Sequence, residues 1–82
     1  MPTVLRDGRL RIMIYGNDHR PAHVHVWGPD GEAVFILNCW QGPAELRENY
    51  GLRARELDKA ERIINKNTSE LCEAWERIHG DT

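Results

Sequence analysis

The residue types best suited to chemistry crowd into one short stretch, Tyr15-Gly16-Asn17-Asp18-His19-Arg20-Pro21-Ala22-His23-Val24-His25-Val26-Trp27. His23 and His25 are two apart in an alternating run, so both imidazoles fall on one face of a strand, with Cα atoms about 6.5–7 Å apart. Neutral imidazoles at that spacing can share a metal ion. His19 in the preceding loop offers a third nitrogen, and Asp18 or Glu32 an oxygen. Histidine as a residue type can take up or give a proton near neutral pH and so suits proton transfer, while Arg11 and Arg20 suit phosphate. A metal-independent ribonuclease would use that combination: a base at the 2′-hydroxyl, an acid at the leaving oxygen and cations around the phosphate. Tyr15 and Trp27 beside Arg11 suggest a third use, since single-stranded RNA stacks its bases on such rings for about 1–3 kcal/mol each. The plain structural alternative is that the imidazoles pack on Met13, Tyr15 and Trp27 and hydrogen-bond across a sheet.

The elements that must position these groups are legible in the residue pattern. Leu10, Ile12 and Ile14 alternate with Arg11, Met13 and Tyr15, which predicts a strand with one apolar face. Val24 and Val26 alternate with His23, His25 and Trp27 in the same way. Gly28-Pro29-Asp30-Gly31 is a turn signal, with Pro pre-setting φ and Gly tolerating positive φ. Ala33-Val34-Phe35-Ile36-Leu37 is apolar on both faces, as an internal strand would be. Ala44-Glu45-Leu46-Arg47 suggests a short fourth strand. Composition changes at Gly51: all four prolines, and every glycine but Gly80, lie at or before it. Beyond it Leu57, Ala60, Ile64, Leu71, Trp75 and Ile78 recur at helical spacing, giving one apolar stripe from about residue 53 to 79. Asn67-Thr68-Ser69-Glu70 resembles a capping box, with Asn67 as N-cap and Glu70 at N3, which predicts a break or kink at residues 65–68.

Other groups have simpler readings. Asp58, Glu61, Glu73 and Glu76 with Arg55, Arg62 and Arg77 form a solvated helix face, and Glu45 and Glu48 are surface acids. His79 before Gly80 suits the terminal carbonyls of a helix. Gly28-x-x-Gly31 is a hairpin turn and no phosphate loop, because no helix follows it. The two cysteines, Cys39 and Cys72, are too few for a disulfide scaffold and lack metal spacing. They are expected to be reduced, small core residues.

At Tyr15-Gly16-Asn17-Asp18-His19-Arg20-Pro21-Ala22-His23-Val24-His25-Val26 the chain resembles a bacterial family, the domain of unknown function 4160 family, whose members carry an aromatic-x-N-D/E-H-x-P-P-H-V-H-V core. The likeness extends to Met1-Pro2-Thr3, to Gly31-Glu32-Ala33, and to Asn67 and Trp75. Ala22 stands where a second proline is usual, which loosens the turn and leaves the histidines in place. Members are often encoded beside a second small protein, in arrangements likened to toxin–antitoxin pairs. The resemblance therefore implies a small partner protein and carries over no catalytic residue.

Composition narrows the class. With 82 residues there is room for one domain, 1–82, and one core. A net charge of -2 argues against wholesale electrostatic binding to nucleic acid. No apolar run suits a membrane span, and residues 1–7 show no signal-peptide pattern, so a cytoplasmic protein without membrane attachment is expected. The expected fold is α+β: a three- or four-stranded antiparallel meander within residues 9–49, covered on one face by C-terminal helix over 53–79, as one bent helix or two. Leu10, Ile12, Ile14, Val24, Val26, Leu57, Ala60, Ile64, Leu71 and Trp75 should dominate the core. The opposite sheet face, with Arg11, Tyr15, His23, His25 and Trp27 and the loop residues His19 and Arg20, is the expected surface for a partner protein, RNA or both. Catalysis and a three-histidine metal site at His19, His23 and His25 stand as alternatives. No cofactor is expected, and a second copy of the chain is a further candidate partner.

Overall fold

Alternation of apolar and polar residues is the local cause of the sheet, and hydrogen bonding between neighbours in sequence sets its order. The computed structural model describes residues 3–80. Its strands are β1 (Thr3–Asp7), β2 (Leu10–Met13), β3 (His23–Trp27), β4 (Glu32–Ile36) and β5 (Glu45–Tyr50). They form one antiparallel sheet in the order β1-β2-β3-β4-β5. Two helices follow, α1 (Ala54–Lys66) and α2 (Thr68–His79). No helix among the described residues is long and apolar enough to cross a membrane.

The α+β class and the meander are as expected, but the sheet has five strands where the pattern predicted three or four. The added strand, β1, precedes the predicted region. Its register with β2 shifts between Thr3 and Leu5, and that irregularity obscures the alternation in sequence. At the other edge β5 is exposed along its whole length, so no buried face marks it in the pattern. Its register also shifts, between Val34 and Phe35 of its partner.

Leu10, Ile12, Ile14, Val24, Val26, Ala33, Phe35 and Leu37 share a core with Ala60, Ile64, Leu71, Cys72, Ala74 and Trp75 from the helices. A fully buried side chain of the Val/Leu/Ile/Phe kind contributes about 1.5–3 kcal/mol, so this cluster dominates stability. Leu57 packs against it only partly buried. The turn between β3 and β4 closes with Gly28 N–H donating to the Gly31 carbonyl at 2.9 Å. Gly31 sits so close to the Tyr50 carbonyl and Gly51 that a Cβ there would collide with backbone. Asn49 makes the exit from β5, accepting from Leu52 N–H and donating to the Leu52 carbonyl, each at 3.0 Å.

The helical stripe breaks at Asn67, within the predicted segment, though not through the predicted capping box. The Asn67 side chain caps no donor of α2. It donates backwards to the Ile63 carbonyl at 2.8 Å and so satisfies the end of α1. Thr68 Oγ1 adds a second bond to α1, donating to the Ile64 carbonyl at 3.3 Å.

The cysteines also depart from expectation. Cys39 and Cys72 are joined as a disulfide, with 5.9 Å between their Cα atoms. The reason lies in the loop of residues 37–44. Gly42 N–H donates to the Asn38 carbonyl at 2.7 Å, and Ala44 N–H donates to Asn65 Oδ1 on α1 at 2.7 Å. Pinned in this way, the loop holds Cys39 over α2.

Candidate functional site

The strand register brings most of the predicted site residues onto one face. Arg11 lies opposite Trp27, and Met13 opposite His25. Tyr15 leaves β2 and turns back over that face, where its hydroxyl accepts from Trp27 Nε1 at 2.8 Å and its ring lies 4.4 Å from that of His25. The face is less open than the alternation suggests. Arg11 is exposed and Tyr15, His25 and Trp27 are half-buried, whereas Met13 and His23 are buried.

What covers the histidines is the loop of residues 14–22. Asp18 N–H donates to the Tyr15 carbonyl at 3.2 Å, and Tyr15 N–H donates to Asp18 Oδ2 at 3.0 Å. This turn delivers the Asp18 carboxylate to the imidazoles. Asp18 Oδ1 lies 3.1 Å from His25 Nε2 and 3.5 Å from His23 Nε2. His23 Nδ1 donates to the Pro21 carbonyl at 2.8 Å. Its ring lies 5.3 Å from Trp75 of α2, which stacks in turn on His79 at 4.0 Å.

The third group converging on His23 and His25 is thus Asp18, one of the two oxygen donors weighed from sequence. Its neighbour His19 is exposed. Arg20 is exposed as well and reaches Glu76 of α2 at 3.8 Å. Neither residue joins the Asp18–His23–His25 cluster.

Register also reveals a residue that the sequence pattern passes over. Arg6 of β1 lies directly opposite Arg11, on the face away from the core, and both are exposed. Neither belongs to an ion pair among the described residues. The Gly8-Arg9 turn after Leu5-Arg6 was the signal available for finding it. Arg6, Arg11 and Trp27 therefore form a continuous row, which continues through Glu32 to Tyr50. Its cationic end lies at β1 and β2 and its acidic end at β4 and β5. There the Glu48 carboxylate beside Tyr50, through its charge first and then its hydrogen bond, with Glu32 adding a smaller effect, raises the phenol above its ordinary range.

No curated protein and no solved structure matches the chain. The profile of the family described as a domain of unknown function (DUF4160) matches residues 10–76, a span that holds β2, β3, β4, β5, α1, the Asp18–His23–His25 cluster and most of α2. The chain belongs to that DUF4160 family.

Proposed function

We propose that this chain binds single-stranded RNA along the row Arg6–Arg11–Trp27, with the Tyr15 ring at its side. The observation that carries this reading is the cross-strand pair of arginines. Like charges directly opposite in a sheet are destabilising. Among the described residues no carboxylate offsets Arg6 and Arg11, and an RNA phosphate would do so with charge-assisted hydrogen bonds. Trp27 next in the row, hydrogen-bonded to Tyr15, presents rings for bases to stack on. Glu32 and Glu48 repel phosphate, which confines the strand to the β1–β3 side. Cleavage has less support than binding, because both Nε2 atoms are turned toward Asp18 and His23 is buried.

Binding of a labelled oligouridylate, followed by fluorescence anisotropy across salt concentrations, tests the reading. Each phosphate contact contributes about -0.7 to the slope of log K against log salt, so Arg6→Ala and Arg11→Ala should each flatten it by about that amount. Trp27→Ala should weaken binding at every salt concentration. Failure of the intact chain to bind at low salt, or a double-arginine variant that binds equally well, would overturn the proposal.

A partner protein is the second reading, favoured by a different observation. Trp40, Leu46 and Tyr50, on β5 and the loop before it, are 49%, 45% and 58% exposed and lie along the free edge of the sheet, where an added strand or helix could cover them. Co-expression with the product of a neighbouring gene should copurify the pair, and Leu46→Lys should separate it. A pair that survives that change does not use this edge.

A further inference from the structure

We propose that Asp18, His23 and His25 bind one divalent cation of the zinc class. Each of the three offers a ligand atom, and these atoms all lie within 4.8 Å of one another. Neighbouring ligands of a tetrahedral zinc ion bound at 2.0–2.1 Å are about 3.3 Å apart. Asp18 Oδ1 lies 3.1 Å from one Nε2 and 3.5 Å from the other, on either side of that value. Imidazole and carboxylate donors suit zinc and its late first-row neighbours, and three protein ligands leave a fourth position for water or a ligand.

The hydrogen bonding around the cluster points the same way. His23 Nδ1 gives its proton to the Pro21 carbonyl, so in the neutral ring Nε2 carries the lone pair. Such a bond to a backbone carbonyl is how metal-ligating histidines are commonly held in the right tautomer. Without a cation or a second ring proton that lone pair faces a carboxylate oxygen at 3.5 Å, a repulsive arrangement in a site where the Asp18 and His23 side chains are only 10% and 9% exposed. Hydrogen bonding accounts for His25 Nε2, whose proton can go to Asp18, while His25 Nδ1 is buried without a partner among the described residues, and it leaves a neutral His23 and Asp18 opposed. A cation between them reverses the sign of the interaction. Tyr15 N–H holds the carboxylate in place through its other oxygen, so the ligands on loop and strand are already oriented. The site involves neither Arg6 nor Arg11; it adjoins the RNA row through Tyr15, and metal uptake is measured without RNA, so either reading can fail alone.

Chelator-stripped full-length protein titrated with Co2+ tests this directly. Visible d–d absorption should develop and saturate at about one equivalent, and Zn2+ should abolish it. Zn2+ should also raise the melting temperature of the intact protein, a shift that Asp18→Asn and His25→Ala lose. Far-UV circular dichroism establishes that these variants are folded. The intact protein is itself decisive, whatever the variants do: no uptake of Co2+ or Zn2+ means that a proton holds the cluster together, and overturns the proposal. Uptake that persists in Asp18→Asn but is lost in His19→Ala would overturn the ligand assignment.

Discussion

Replacing Cys39 by serine removes the tie between the 37–44 loop and α2 while leaving the core filled, because Cys39 is exposed and the buried Cys72 stays in place. The two cysteines are 33 residues apart, and the chain-entropy relation for a loop of that size gives about 3.7 kcal/mol at 25 °C. A domain of 82 residues has about 4–12 kcal/mol of total stability at ordinary values per residue, so the link accounts for a large share of it. At about 4–8 °C per kcal/mol, the melting temperature should fall by about 15–30 °C. Thermal and urea unfolding of the oxidised protein, the protein reduced with a phosphine, and Cys39→Ser should show the last two alike and both well below the first. Their urea m values should also be higher, since an uncrosslinked unfolded chain exposes more surface. If alkylation finds no free thiol in the oxidised protein and all three samples still melt within about 5 °C, the entropy argument is wrong for this fold. Free thiols in protein purified under oxidising conditions would refute the pairing itself.

Two further outcomes are expected. Gly31→Ala should lower stability by about 1–3 kcal/mol, read as a lower urea midpoint, because its Cβ would force apart the backbone at Tyr50 and Gly51; Gly16→Ala, with nothing within 4 Å of the added Cβ, should stay within about 0.5 kcal/mol, and equal midpoints for the two would refute the close approach. Tyr50, its phenol raised chiefly by Glu48, should titrate at lower pH in Glu48→Gln when followed by tyrosinate absorbance. Because the folded value is raised, its contribution to stability is complete below the ordinary value near 10 and is lost as pH rises through the folded one, and superimposable titrations would refute the cause assigned.

Much of the fold follows from local pattern. Alternation in the segments that became β2 and β3 determined which side chains face the helices, and every expected core residue but Leu57 is buried. Helical spacing after Gly51 determined the cover, and Asn67 marked its break. The same alternation placed Arg11, Tyr15, His25 and Trp27 together, because side chains two apart on a strand share a face whatever the strand pairs with.

Tertiary structure decided the rest, because it rests on contacts that no local period encodes. Register between β1 and β2 set Arg6 against Arg11 and so made a cationic row. The hydrogen-bonded turn at Tyr15 chose between two adjacent loop residues, sending Asp18 inward to the histidines and leaving His19 outside. Anchoring of the 37–44 loop on Asn65 brought together cysteines that spacing alone kept apart. Periodicity reports which face a residue takes on its own element. Which element then lies against that face is settled by long-range hydrogen bonds and packing, and here those bonds decide what the histidines meet.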